Sequence, residues 1–297
     1  MAKHHKKFFH TSSQKQLRRF TRSRAGNVFY FVFLFAAGIF SVLPFVYSIS
    51  TSLKPLDELL IFPPTLIRVK RPTFNNYLSV PHLLSSLSVP VTRYVFNSVF
   101  IAAVGTALAV LLSAMAAFVF SKSDLRFKNQ IFLIIQLSLL FNAYTLAIPQ
   151  YVIYAKFGII DTYLSYIVPA GASSMGVFLM KQYIDGYVPD ALIEAAKIDG
   201  ADWFKIFGRI ILPIVRPCVL TLVLFTFLGL WNTGSAGTVF TEALKTLPTV
   251  LSTISSGGLA RAGSASAASV IMLVPPVLVY LISQSSIKET MSNAGIK

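Results

Sequence analysis

The densest group of acidic side chains in this chain, four of its eleven Asp and Glu residues, lies in one segment. It reads Tyr187-Val-Pro-Asp-Ala-Leu-Ile-Glu-Ala-Ala-Lys-Ile-Asp-Gly-Ala-Asp-Trp-Phe-Lys-Ile-Phe-Gly-Arg-Ile-Ile-Leu-Pro213. It holds no Ser, Thr, Cys or His, so it offers no nucleophile or imidazole base beside its carboxylates. Its chemistry is that of contact. Pro189 and Asp190 open a helix, Glu194, Ala195, Ala196, Lys197 and Ile198 continue it, and Gly200 ends it. In the second helix Trp203, Ile206, Phe207 and Ile210 share one face, while Asp202, Lys205 and Arg209 mark the other. Three uses fit such a pair: an anchor along the membrane surface, a lipid-binding patch opposed by Asp190, Glu194, Asp199 and Asp202, or a docking element whose apolar residues enter a partner's groove.

Elsewhere the inventory is thin. Cys218 is the single cysteine, which excludes an intramolecular disulfide and reads as a small packing residue. His4, His5 and His10 sit in a basic tail and read as solvated side chains rather than metal ligands. The pattern GxxxxGK[ST] is absent, so the chain has no P-loop of its own for ATP. Neutral hydrogen-bonding and aromatic residues in or beside apolar runs, namely Asn97, Asn142, Tyr144, Phe225, Trp231 and Asn232, can line a polar path. Equally, aromatic residues at span ends form interfacial belts, and Asn between helices acts as packing glue.

The elements that must position these residues are set by hydrophobicity. The 297 residues are 55% hydrophobic and 12% charged, with a mean hydropathy of +0.67, which is too apolar for a soluble domain. An apolar stretch of about 20 residues matches the roughly 30 Å hydrocarbon core of a bilayer. Six such stretches predict an all-α integral membrane protein with six transmembrane helices: Asn27 to Ser50, Tyr94 to Phe120, Gln130 to Pro149, Thr162 to Met180, Pro213 to Trp231 and Ala267 to Ser286. Beyond Arg216, near the start of the fifth, these stretches contain no Asp, Glu, Lys, Arg or His. Proton- and ion-coupled transporters usually keep such groups at membrane depth. Energy for moving a solute uphill would therefore have to enter through a contact outside the bilayer.

The net charge of +15 is arranged as a topology signal and not as a nucleic-acid footprint. Residues 1–26 carry Lys3, Lys6, Lys7, Lys15, Arg18, Arg19, Arg22 and Arg24 and no acid. With this tail cytoplasmic, the short cytoplasmic segments hold 18 of the 26 Lys and Arg residues, which predicts both termini inside. An acid-free, Arg- and Ser-containing start also resembles an organellar transit peptide, but a span follows directly. The layout expected is a basic tail (1–26), a first span with an outer loop carrying short interfacial helices (27–93), and a core with five spans and the 187–213 loop (94–297).

Glu194-Ala195-Ala196, three residues, Gly200, nine residues, Ile210, one residue, then Leu212-Pro213, just before the fifth span, resembles the EAA signature of permease subunits in binding-protein-dependent ABC importers. Softer likenesses point to the sugar-uptake permeases of the maltose type: Gly158-Ile-Ile-Asp-Thr-Tyr163, Leu224-Phe-Thr-Phe-Leu-Gly-Leu-Trp-Asn232 and Met291-Ser-Asn-Ala-Gly-Ile-Lys297. Many relatives have an acid after the Trp-Asn pair, where this chain has Thr233. The resemblance covers about Tyr94 to the end and implies a type I importer (MetI-like) fold in a bacterial or archaeal cell membrane. It implies that Glu194, Ala195, Ala196, Gly200, Ala201, Trp203, Phe204 and Phe207 belong to the coupling region that sits in a cleft of an ATPase subunit. It also implies a second permease subunit, two ATP-binding subunits holding ATP and Mg, an external solute-binding protein and a carbohydrate solute, with no nucleic acid and no cofactor on this chain. The alternatives are the same machine for a polyol, glycerol phosphate, peptide or amino acid, or a membrane scaffold that transports nothing.

Overall fold

A computed structural model describes residues 24–61, 65–85, 89–234 and 237–294. The basic tail before Arg24, with its three histidines, and residues 295–297 of the terminal motif lie outside the described residues. The helices are α1 (Arg24–Ser52), α2 (Leu56–Leu59), α3 (Asn75–Ser85), α4 (Val91–Lys122), α5 (Lys128–Ser138), α6 (Ala143–Phe157), α7 (Leu164–Gly171), α8 (Ser174–Tyr187), α9 (Asp190–Ile198), α10 (Trp203–Ile206), α11 (Leu212–Ile214), α12 (Arg216–Trp231), α13 (Leu247–Ser255) and α14 (Ala262–Ala294). No strand occurs among the described residues.

All six expected spans are helical, but not all are single rods. Gly26–Ser52, Val91–Lys122 and Ala262–Gln284 are long and apolar enough to cross a membrane unaided, and Trp203–Ile214 with Arg216–Trp231 makes a fourth if counted across its 81° bend. The third expected span is divided between α5 and α6 by a turn at 139–142, and the fourth between α7 and α8 at Ala172–Ser173. At the second break the Ser173 hydroxyl accepts from Gly176 N at 3.1 Å, capping α8 while Ala172 N closes α7 onto Pro169 O. The fifth span starts at Arg216 and not at Pro213, because Leu212–Ile214 continues the preceding loop up to the corner at Val215.

The chain forms two compact units, Met1–Tyr47 and Ser48–Lys297. In the first, α1 is apolar around its circumference, and Phe29 stacks on Phe33. In the second, residues 48–93 do not stand apart from the core that was expected to begin at Tyr94. Val80 and Leu84 of α3 share a buried cluster with Tyr94, with Leu247, Val250, Leu251 and Ile254 of α13, and with Ala267 and Ala268 of α14.

The centre of this second unit is α4, which packs against α7, α8 and α12, while α12 packs on α14. Its buried face is made of small residues, among them Ala102, Gly105, Ala109, Ser113, Ala114 and Ala117. Inside a bilayer, lipid competes for apolar contact, so helices associate where small residues allow close packing. A Cβ on Gly105 would lie 2.6 Å from Leu230 Cδ1, and one on Gly176 2.4 Å from Ser113 Oγ. These two glycines set the closeness of α12 and α8 to α4.

Candidate functional site

The 187–213 loop is built on a second buried cluster at one end of α4. Ala114, Ala117 and Phe118 of α4, Met180, Tyr183 and Ile184 of α8, and Ile193, Ala196, Ile206, Ile211 and Val215 from the loop share it. The entry to α9 is held by Lys122, the last residue of α4. Its Nζ donates to Val188 O and to Asp190 Oδ1, both at 2.6 Å, with the Lys122 side chain only 7% exposed. The hydrogen bond from Lys122, and then its charge, hold the Asp190 carboxyl below the ordinary carboxylate range. A neighbouring bond from Ser121 Oγ to Asp185 Oδ1, at 2.5 Å, ties the same end of α4 to α8.

Gly200 has φ +77°, a conformation that costs an L-residue with a side chain about 1–2 kcal/mol. It closes α9 in a Schellman motif. Ala201 N donates to Ala196 O at 2.9 Å and Gly200 N to Lys197 O at 3.0 Å, with Ala201 packed on the cluster that contains Ala196. Asp202 then caps the next helix, its Oδ1 accepting from Lys205 N at 3.1 Å. Phe207–Ile211 is a π-helical turn.

The faces differ from the simple stripe that the spacing predicts. Ile206 is fully buried, Phe207 and Ile210 are half-buried, and Trp203 is 44% exposed. Trp203 is held by its edge contact to Phe118, 5.6 Å between centroids, and by the Lys197 ammonium 4.3 Å above its ring. Of the EAA triplet, Glu194 and Ala195 face outward. Ala196 is buried, so its small size serves packing within this chain and not approach by a partner. Two apolar residues stand out from the loop: Phe204 is 77% exposed and Ile198 86%. Ile198 lay outside the expected surface because it falls off the α10 stripe, although an isoleucine directly before an Asp-Gly helix end is a readable signal.

The six expected path residues separate. Asn97 is 0% exposed, donating to Ala243 O and Lys245 O, each at 2.9 Å, and accepting from Tyr163 OH at 2.7 Å. Trp231 is buried, its Nε1 donating to Met272 O at 3.0 Å while its ring stacks on Phe227. Both hold the fold through these bonds. Phe225 is exposed in a groove of about 480 Å3 between α7, α8 and α12, with Ser173 and Thr226 among its few polar neighbours. Asn232 faces a different groove, of about 450 Å3, with Ser252, Ser255 and Ser269. Asn142 is exposed at the α5–α6 turn, and the Tyr144 side chain lies outside the described residues.

The soft motif at 158–163 has a structural account. Asp161 accepts from Phe240 N at 2.9 Å and from Thr241 N at 2.8 Å through Oδ1, and from the Thr241 hydroxyl at 2.5 Å through Oδ2. The Thr241 hydroxyl is the first cause of its carboxyl lying below the usual range. Together with Asn97 it fixes the 238–246 loop. Asn97→Leu is therefore expected to lower the melting temperature, since each buried polar group left unpaired costs about 1–3 kcal/mol. Solute preference should be unchanged. Thermal unfolding and competition uptake on the same variant check both halves.

Residues 109–292 match the family model described as binding-protein-dependent transport system inner membrane component. Protein LplC of Bacillus subtilis is 31% identical over 218 residues, 71% of this chain and 69% of that protein. The arabinooligosaccharides transport system permease protein AraQ of Halalkalibacterium halodurans is 28% identical, covering 89% of this chain and 94% of the relative. Among solved structures, a chain of a bacterial ABC transporter involved in the import of the acidic polysaccharide alginate superposes with a TM-score of 0.74 at 20% identity. That match covers 90% of this chain and 99% of the other, a likeness of fold.

Proposed function

The chain belongs to the family of binding-protein-dependent transport system inner membrane components, and from that premise we propose that it is a permease subunit that lines, with a partner permease, the path of a carbohydrate importer. The relative named for arabinooligosaccharides and the fold neighbour named for alginate import support a saccharide solute. The single observation that carries the coupling role is the loop itself. Phe204 and Ile198 stand exposed on a base held by the Lys122 clamp, the Gly200 turn and the Asp202 cap, which supports a docking element that enters a partner's groove.

ATP and Mg belong to two nucleotide-binding subunits, since this chain has no P-loop. An external solute-binding protein delivers the sugar, and both termini are cytoplasmic. ATP draws the nucleotide subunits together, the docked loops follow, and the spans open outward; hydrolysis resets them. Phe225, Asn142 and Asn232 are the solute contacts carried forward, by aromatic stacking and neutral hydrogen bonds.

The test is uptake of labelled oligosaccharides by the complete complex in proteoliposomes. Uptake should persist when proton and sodium gradients are collapsed at constant ATP and stop when ATP alone is exhausted. Uptake that follows a gradient would reject the energy source proposed. Transport of polyols or peptides in place of every saccharide tried would reject the solute class.

A further inference from the structure

After α1 the chain doubles back along the end of that helix. Ser50 Oγ, in the last turn of α1, donates to Ile67 O at 3.2 Å, and the buried Lys54 ammonium donates to Thr65 O. Farther along, Thr73 N donates to Leu53 O at 2.8 Å, and the Glu58 carboxylate accepts from Lys70 N at 2.9 Å and Arg71 N at 3.3 Å. These bonds fix a register in which Ile67 lies level with the last turn of the span. Residues 70 and 71 follow beside Glu58 of α2, before Thr73 returns to Leu53.

The side chains are layered in the same order. Leu66 and Ile67, beside the helix end, are 58% and 63% exposed. Arg68, Lys70 and Arg71 follow, all exposed. Arg71 pairs with Asp57, and neither Arg68 nor Lys70 has a carboxylate partner among the described residues. Apolar side chains at the depth where a span ends, with cations one step farther out, reproduce the order of acyl chain and phosphate in a bilayer leaflet. A protein partner would be expected to meet the reverse, an apolar centre from which charge is depleted.

We propose that residues 65–71 form a lipid clasp. Leu66 and Ile67 enter the acyl layer, and Arg68 and Lys70 bind phosphate oxygens of anionic headgroups, Arg68 through two parallel N–H donors, with the Asp57-paired Arg71 adding a weaker contact. The occupant is a phospholipid of the leaflet in which α1 ends, and the clasp is set before lipid arrives because its backbone bonds are internal. It does not depend on which solute is carried.

The test uses the full-length chain with Cys218→Ser, an Ile67→Cys bimane label, and vesicles of phosphatidylethanolamine and phosphatidylglycerol. Quenching by lipids spin-labelled high on the acyl chain should exceed quenching by aqueous iodide several-fold. Replacing Arg68, Lys70 and Arg71 together by Gln should reduce co-purifying phosphatidylglycerol several-fold, whereas Lys156→Gln with Arg261→Gln should not. Efficient iodide quenching would overturn the proposal, as would phosphatidylglycerol retention by the triple variant. Shielding from both quenchers only when a second permease subunit is present would instead make the segment a protein interface and equally reject the clasp.

Discussion

Gly200→Val weakens capture of the ATPase subunit by about five- to thirtyfold, and uptake with it, while leaving the chain inserted and folded; that is the expected result of placing a β-branched residue at φ +77°. A Cβ at this position would meet nothing within 4 Å, so the first atom of the new side chain finds open space. The penalty falls on the backbone, about 1–2 kcal/mol or more, too little to unfold the protein but enough to open the Schellman turn that aims α10 away from α9. Once the turn opens, Phe204 of α10 and Ile198 of α9 lose their fixed relation to each other. Gly200→Asn, which tolerates the left-handed region, should bind at an intermediate level, and Gly200→Asp should fall below it because it adds a charge beside Glu194 and Asp199. Pull-down of the nucleotide-binding subunit and sugar-stimulated ATP hydrolysis are the measurements. Wild-type binding and transport by Gly200→Val and Gly200→Asp alike would return the loop to a simple membrane anchor.

Lys122→Met should separate assembly from transport. Lys122 is a buried cation whose hydrogen bonds to Val188 O and Asp190 are the direct polar link from α4 into the start of α9. A charge-assisted bond of this kind contributes about 1.5–3 kcal/mol, equivalent to roughly ten- to a hundredfold in an equilibrium. With the link removed, the loop still docks through Phe204 and Ile198, but motion at the docked surface reaches α4 less completely. Uptake should fall at least about tenfold at near-normal ATPase capture, and Lys122→Arg should restore most of it. Asp190→Asn should do less, since that carboxylate is largely exposed and solvent screens the pair. The Asp190 titration runs in the matching direction. Because Lys122 lowers its pKa, the pair is intact at neutral pH and is lost only as pH falls through that lowered value. Coupling should therefore be flat from neutrality down to mildly acidic pH. A loss of ATPase capture equal to the loss of uptake in Lys122→Met would show a docking defect instead.

Which parts of the molecule were legible depended on whether the controlling property is local. A bilayer asks a segment for length and apolarity, both readable one residue after another, so the six helical regions, the absence of charge deep within them and the basic tail followed from sequence. The loop was legible for a related reason. Its Gly200 turn and Asp202 cap are settled within five residues, and the spacing from Glu194 to Pro213 carries the family likeness. The break at Ala172–Ser173 was hidden because the apolar stretch is interrupted there by only two serines, too few to end a run of span length, although Ser173 is the cap of the second helix.

What only the tertiary structure decided is which side chains a given face meets. Asn97 looked free to line a path, yet its partners lie 146 and 148 residues away, and Trp231 reaches Met272 across 41. Ala196 turned inward because α9 rests on α4 and α8, a matter of packing that no spacing within the loop specifies. The return of Ile67 to the last turn of α1 likewise rests on bonds such as that of the Ser50 hydroxyl to its carbonyl, across 17 residues. Hydrogen-bonding capacity is a property of each residue, but its partner is chosen when distant helices pack, so sequence by itself determined the membrane class, the helical regions and the two short helices of the 187–213 loop, and packing determined which polar groups are paired within the chain.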